Sequence, residues 1–405
     1  MKHFSCSSRI TPFAAALVIV LGARSASAQL YYDPVVTLIG TPSAPVSGTG
    51  YTTSLALYLN SVANQASAQS LVSYNSGATG TRLVNSTTAT SEGALSNSPT
   101  IANNAALGIQ STGTAYVYSA GYDAASGTAS VSAAGTSANR ALGQATVGID
   151  TVSNASVIQT QTQATAYSGN NIRGATGNDN GTNLYTAGTG SPTTTAGWRN
   201  FVTNAQLGST VTNTRTVELL AGGLFGTTGS GTVGIYKIDP TGVAAPTAFI
   251  TTGTSSDHSP YEFALFNNPT NTNSQFGYNI AYIADDKSPT GDTNGGIEKW
   301  TYNGTAWSQA YILQDTSTTY YRGLAGELDP TSGQVTLFAT TSDGTKLQQV
   351  TDSGATASFT TLATAPTNEV FRGVALAPSA VPEPSALASL AAGLGLLGFR
   401  RRRNA

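Results

Sequence analysis

Residues 321–370 carry the clearest alternation of apolar and polar positions in the chain. Arg322 to Leu328 reads as a short strand, and Asp329-Pro330-Thr331-Ser332-Gly333 as a turn. Gln334 to Thr341 alternates strongly and predicts a second strand. Asp343-Gly344 is a tight hairpin signal. Lys346 to Thr351 gives a third strand, Asp352-Ser353-Gly354 a further turn, and Ala357 to Ala363 a fourth strand. The pattern restarts at Phe371-Arg372-Gly373-Val374-Ala375. Four antiparallel strands in about 50 residues is the size of one blade of a propeller.

The opening of this unit recurs. Arg140, Arg173, Arg215, Arg322 and Arg372 are each followed by small or apolar residues. Their spacings are 33, 42, 107 and 50 residues, and the longest gap fits two blades, the second opening near Tyr261-Glu262-Phe263. The expectation is an all-β chain: a β-propeller of six or seven four-stranded blades. Closure hides the sheet edges that a strand-rich chain otherwise exposes. The strand at 371–377 has no blade after it and is expected to pair with N-terminal strands such as Val35 to Ile39 and Ser54 to Leu59. The competing architecture is a right-handed β-helix, whose turns are shorter and lack repeated hairpins.

The two ends break this pattern. Lys2 and Arg9 precede an apolar stretch over residues 12–23, and Ala26-Ser27-Ala28 is a small-residue cleavage site. Residues 1–28 therefore read as a signal peptide handled by the Sec translocon and signal peptidase. At the other end Val381, Pro382, Glu383 and Pro384 precede an uncharged run over residues 385–399, then Arg400, Arg401, Arg402 and Arg403. Fifteen helical residues span roughly 22 Å, short for a bilayer core but extended by the reach of arginine side chains. The arginine cluster favours a cytoplasmic C-terminus. The division expected is 1–28 signal peptide, 29–380 propeller body, and 381–405 sorting signal with a transmembrane helix.

Residues 381–405 resemble the PEP-CTERM sorting signal, with motif, apolar helix and basic cluster in that order. The resemblance implies recognition of the Pro-Glu-Pro motif by a membrane-embedded exosortase, removal of the anchor, and delivery to the cell surface or a biofilm matrix rich in exopolysaccharide. The body is similar to a group of exported PEP-CTERM proteins with propeller-like bodies. The residues behind that likeness are Tyr167 to Arg173, Leu184 to Gly188, Tyr282 to Asp286, Gly296 to Trp300 and Tyr321 to Leu324. It implies no particular activity.

Charge changes once the ends are set aside. Three of the 18 Lys+Arg lie before residue 29 and four at 400–403, leaving 11 basic against 19 acidic residues over 29–380. A net charge of −8 on that body argues against nucleic-acid binding through a basic face. Cys6 lies before residue 29, so the body relies on its core rather than on disulfides.

Candidate chemistry is sparse. His258 is the body's single histidine and reads as a surface residue in a Ser/Pro-rich loop. The usual zinc sets and Ser-His-Asp or Cys-His arrangements therefore lose most of their parts. Asp285, Asp286 and Asp292 form a candidate calcium set without the spacing of an EF-hand. Trp198, Trp300 and Trp307 read as packing residues. The repeated arginines either brace one blade to the next or converge on one mouth of the channel and bind an anionic sugar. The expectation is a non-enzymatic binding or scaffolding module; the alternative is an extracellular glycan lyase or hydrolase that works with carboxylates.

Overall fold

The computed structural model describes residues 31–40, 48–75, 77–87, 92–107, 115–133, 138–287, 295–316 and 319–380. The expected signal peptide with Ala26 and Ala28, the Pro-Glu-Pro motif, the apolar run and Arg400–Arg403 lie outside the described residues, as does Asp292. Among the described residues no helix is long and apolar enough to cross a membrane.

The chain is an all-β propeller. Its first eight strands are β1 (Tyr32–Gly40), β2 (Gly50–Leu57), β3 (Ser70–Ser73), β4 (Val84–Ser86), β5 (Leu95–Asn97), β6 (Ala115–Asp123), β7 (Asn139–Gly148) and β8 (Thr151–Gln161). Four blades follow as separate four-stranded antiparallel sheets. The first is β9 (Ile172–Gly177), β10 (Leu184–Gly188), β11 (Arg199–Asn200) and β12 (Ala205–Gln206). The second is β13 (Thr214–Leu220), β14 (Gly223–Thr228), β15 (Thr232–Ile238) and β16 (Thr247–Thr254). The third is β17 (Pro260–Phe266), β18 (Ile280–Asp285), β19 (Gly296–Tyr302) and β20 (Trp307–Leu313). The fourth is β21 (Tyr321–Leu328), β22 (Val335–Thr341), β23 (Lys346–Thr351) and β24 (Phe359–Thr364), close to the strands read from the alternation.

The last strand, β25 (Glu369–Pro378), joins the first eight in a nine-stranded sheet. Within it β25-β1-β2-β3 and β5-β6-β7-β8 are two runs of four, and β4 bridges them by pairing with both β2 and β6. The expected closing pair forms: Val36 lies opposite Val374 and Val35 opposite Ala375. The strand read at Ser54 to Leu59 instead pairs with β1, one place further from the axis. The seam is sealed by a core in which Leu55, Leu57 and Tyr58 from the start of the chain pack with Phe371, Val374 and Leu376 from its end. Each large apolar side chain fully buried there contributes roughly 1.5–3 kcal/mol.

β5, β9, β13, β17, β21 and β25 touch one another in that order, and β25 touches β5. These are the inner strands. Arg173, Arg215, Arg322 and Arg372 lie on four of them, and Tyr261 takes the equivalent place on β17. Arg140 departs from expectation: it lies on β7, and in its run of four strands it is β5 that meets the other inner strands. The alternating pattern around Arg140 belongs to a strand two places out.

One element had no counterpart in the strand pattern. Pro99–Leu107 forms a helix, α1, with Ile101, Ala105 and Ala106 buried. Proline suits a first helical position and the alanines favour the interior. α1 touches β5, β13, β17, β21 and β25, and so closes one end of the ring.

Candidate functional site at the mouth of the ring

The residue after each inner-strand arginine is Gly174, Thr216, Gly323 or Gly373, but on β17 it is Glu262. Glu262 is buried at 1% exposure and fills the axis. Its Oε1 accepts the Leu95 N–H at 2.9 Å; its Oε2 accepts those of Leu324 at 2.7 Å and Val374 at 3.0 Å. A Cβ at Gly373 would collide with the Leu95 nitrogen and with Glu262 Oε1. Glycine there makes room for the glutamate. Burial pushes the Glu262 carboxyl up to about 8 against the pull of its three N–H donors.

Below Glu262, toward α1, lies a cavity of about 40 Å3 bordered by Glu218, Asn97, Phe263 and Leu324. Burial, and the charge of Glu262, hold the Glu218 carboxyl well above its usual range. Above Glu262 the mouth is lined by Glu92, Tyr261, Arg322 and Arg372, with room for about one water molecule beneath the surface. Burial also raises the Glu92 carboxyl to about 7. Its Oε1 accepts the Tyr122 hydroxyl at 2.7 Å and its Oε2 the Ser86 N–H at 3.0 Å.

Each arginine reaches a neighbouring segment. Arg173 Nη1 donates to Asn213 Oδ1 at 2.6 Å and to the Thr214 carbonyl at 3.1 Å. Arg215 Nη1 donates to the Ser259 hydroxyl at 2.7 Å and the Pro260 carbonyl at 3.2 Å. Arg322 binds Asp286 through Nε at 2.7 Å and Nη2 at 2.6 Å, and donates to the Ser342 carbonyl. Arg372 donates to the Phe371 and Thr87 carbonyls. Arg140, away from the axis, donates to the carbonyls of Ala138, Ser132, Tyr167 and Asn170.

The inner arginines also gather. Arg215 and Arg322 lie over the Tyr261 ring, 4.1 and 5.3 Å from its centre. Asp286 sits beside both. Burial lowers Arg372 to about 10, helped by the charge of Arg322. The Nε atoms of Arg173 and Arg372 are buried with no hydrogen-bond partner. The side chains of Arg215 and Arg322 stay 14% and 15% exposed, so the cluster reaches the surface.

The remaining sequence candidates fall elsewhere. Asp285 and Asp286 turn to different protein partners. Asp285 accepts the Ser259 and Lys287 N–H groups, while Asp286 accepts the Ser259 hydroxyl and the Arg322 guanidinium. His258 is not a surface residue: it is 8% exposed, and its Nδ1 meets Glu298 Oε1 at 2.8 Å and Asp285 Oδ2 at 3.7 Å. Although burial opposes its charge, hydrogen bonds to Asp285 and Glu298 raise the imidazole to about 10. Trp198, fully buried, donates to the Thr216 carbonyl, Trp300 to Glu298 and Trp307 to Gln275.

No family model matches the chain, and no curated protein matches it. Among solved structures it is similar to a candidate 6-phosphogluconolactonase from Bacteroides fragilis. That match has 10% identity and a TM-score of 0.37, over 85% of this chain and 98% of the other. It is also similar to YCF48 bound to a D1 peptide, with 12% identity and a TM-score of 0.25, over 54% of this chain and 78% of the other. Neither superposition bears on what this chain binds.

Proposed function

We propose that the chain is an exported cell-surface or matrix protein whose propeller is a binding and scaffolding module for carboxylated exopolysaccharide. In this reading the body has six blades, the two runs within the nine-stranded sheet counting as one each. Residues 1–28 direct export, and residues 385–399 with Arg400–Arg403 hold the precursor until an exosortase acts at Pro382-Glu383-Pro384.

The observation that carries the binding reading is the charge at the mouth. Arg173, Arg215, Arg322 and Arg372 bring four positive charges around Tyr261, with Asp286 and Glu92, whose carboxyl burial raises to about 7, beside them. The carbonyl bonds tie the guanidinium groups in place without cancelling their charge. A carboxylate resting on the exposed edges of Arg215 and Arg322 compensates it, and Arg is well shaped for that recognition. Glu262 closes the channel beneath, so a glycan lies across the mouth rather than threading it.

The experiment is calorimetry of the full chain against polygalacturonate and against neutral dextran. Salt-sensitive binding of polygalacturonate alone is expected. Equal binding of both polymers, or release of oligosaccharides from polygalacturonate, overturns the reading. Sorting is tested separately: Pro382→Ala with Pro384→Ala leaves the protein in the membrane fraction.

A further inference from the structure

His258, Asp285 and Glu298 come from three places in one blade: the approach to β17, the end of β18, and β19. All three are buried, and one ligand atom from each lies within 4.8 Å of the other two. We propose that these three side chains form a binding site for a divalent transition-metal cation, with zinc as the ion of choice. The reading is independent of what the mouth of the ring binds.

Charge makes the first argument. Among the described residues no Lys or Arg forms an ion pair with Asp285 or Glu298; His258 is the one cationic partner of both. Once His258 gives up its proton to bind metal, two buried carboxylates and a neutral imidazole carry two negative charges, which one dication neutralises. Lys287 Nζ turns away to the Ser255 carbonyl, and Asp286 is taken by Arg322.

Geometry makes the second. The Nδ1–Oε1 and Nδ1–Oδ2 separations are 2.8 and 3.7 Å. They bracket the edge of about 3.4 Å that a tetrahedral ion with bonds near 2.1 Å requires. The carboxylates are also held from outside. Trp300 Nε1 donates to Glu298 Oε2 at 2.7 Å, and the Ser259 and Lys287 N–H groups donate to Asp285 at 2.7 and 2.8 Å. Such outer donors orient metal ligands. The imidazole nitrogen selects against calcium and magnesium, which take oxygen ligands, and in favour of zinc. A three-ligand set leaves a fourth position open.

The chain has two histidines, so His3→Gln leaves His258 as its single imidazole. The test uses that full chain, labelled with 15N at histidine and stripped with EDTA, titrated with zinc chloride. The expected result is a change of the Nδ1 resonance complete at one equivalent, with Glu298→Gln weakening zinc binding at least tenfold. An Nδ1 resonance that does not move in excess zinc overturns the proposal whatever the variant does. Glu298→Gln binding zinc as tightly as the parent overturns it as well.

Discussion

Glu262 accepts the backbone N–H of Val374 at 3.0 Å, although 112 residues of sequence separate them. With Leu95 and Leu324 on its other bonds, this one side chain ties β17 to β5, β21 and β25. A β-sheet satisfies its N–H groups through its own ladder, but the inner strands face an axis with no further strand to pair with. A side chain has to supply the acceptors.

Replacing Glu262 with alanine strands three buried N–H groups. At about 1–3 kcal/mol for each unsatisfied donor, the loss is about 3–9 kcal/mol, near the whole stability of many domains. Urea denaturation of Glu262→Ala is expected to show a midpoint shifted far down or no cooperative transition. A midpoint like that of the parent chain rejects Glu262 as the central tie.

The glycines beside the axis predict a graded series. A methyl at Gly373 collides with Glu262 and Leu95, whereas at Gly174 the nearest atom is the Arg215 carbonyl oxygen at 3.1 Å. Overpacking of the first kind costs about 1–3 kcal/mol or more. Gly373→Ala is therefore expected to lower the melting temperature by several degrees more than Gly174→Ala. Equal losses at both positions indicate that room for the glutamate does not decide the glycine at 373.

Much of this ring is legible in the chain. Blades built from hairpins of seven or eight alternating residues, such as β21 and β22, announce themselves because each strand has one neighbour close in sequence. The closing pair of β1 and β25 was legible by elimination, since residues 371–377 have no hairpin partner after them. Other features are silent. β5 is three residues long and precedes a helix, so nothing in its pattern marks it as an inner strand, and the Arg140 segment looks like one instead. The burial of His258 depends on Glu298, 40 residues away and across two strands, a separation that no local pattern encodes. The Arg-Gly repeat could be seen, but the Tyr261-Glu262 variant gains its meaning only when five inner strands surround it.

The arginines make a prediction that separates bracing from binding. Arg322→Gln removes two contacts to Asp286 and leaves that carboxylate to Ser259 and Arg215. Breaking a buried pair by removing one partner costs about 3–5 kcal/mol, and less here because both side chains keep some exposure. Calorimetric unfolding of Arg322→Gln with Arg372→Gln is expected to show a clear drop in melting temperature. Unchanged melting with lost binding of polygalacturonate argues against bracing at these two positions.

Acidity probes the seam where the ring closes. Burial raises the Asp33 carboxyl to about 7, and raises that of Glu327 to about 8 with the charge of Asp33 adding to it. Asp33 Oδ2 and Glu327 Oε1 are buried without partners, while Glu327 Oε2 accepts the Tyr31 N–H at 2.8 Å. Both groups hold their protons more tightly when folded than in the unfolded chain. Their contribution is fully present below the unfolded values near pH 4 and is lost as pH rises through about 7 and then 8. Glu262 and Glu92 shift the same way, so the melting temperature is expected to fall from pH 5 to pH 9. Glu327→Gln isolates one group. It keeps an acceptor for Tyr31 and removes the buried charge, so it stabilises by about 1–3 kcal/mol at pH 9 and changes little at pH 5. A melting temperature that rises across this range, or a Glu327→Gln effect equal at both ends, removes the seam carboxyls as the titrating groups.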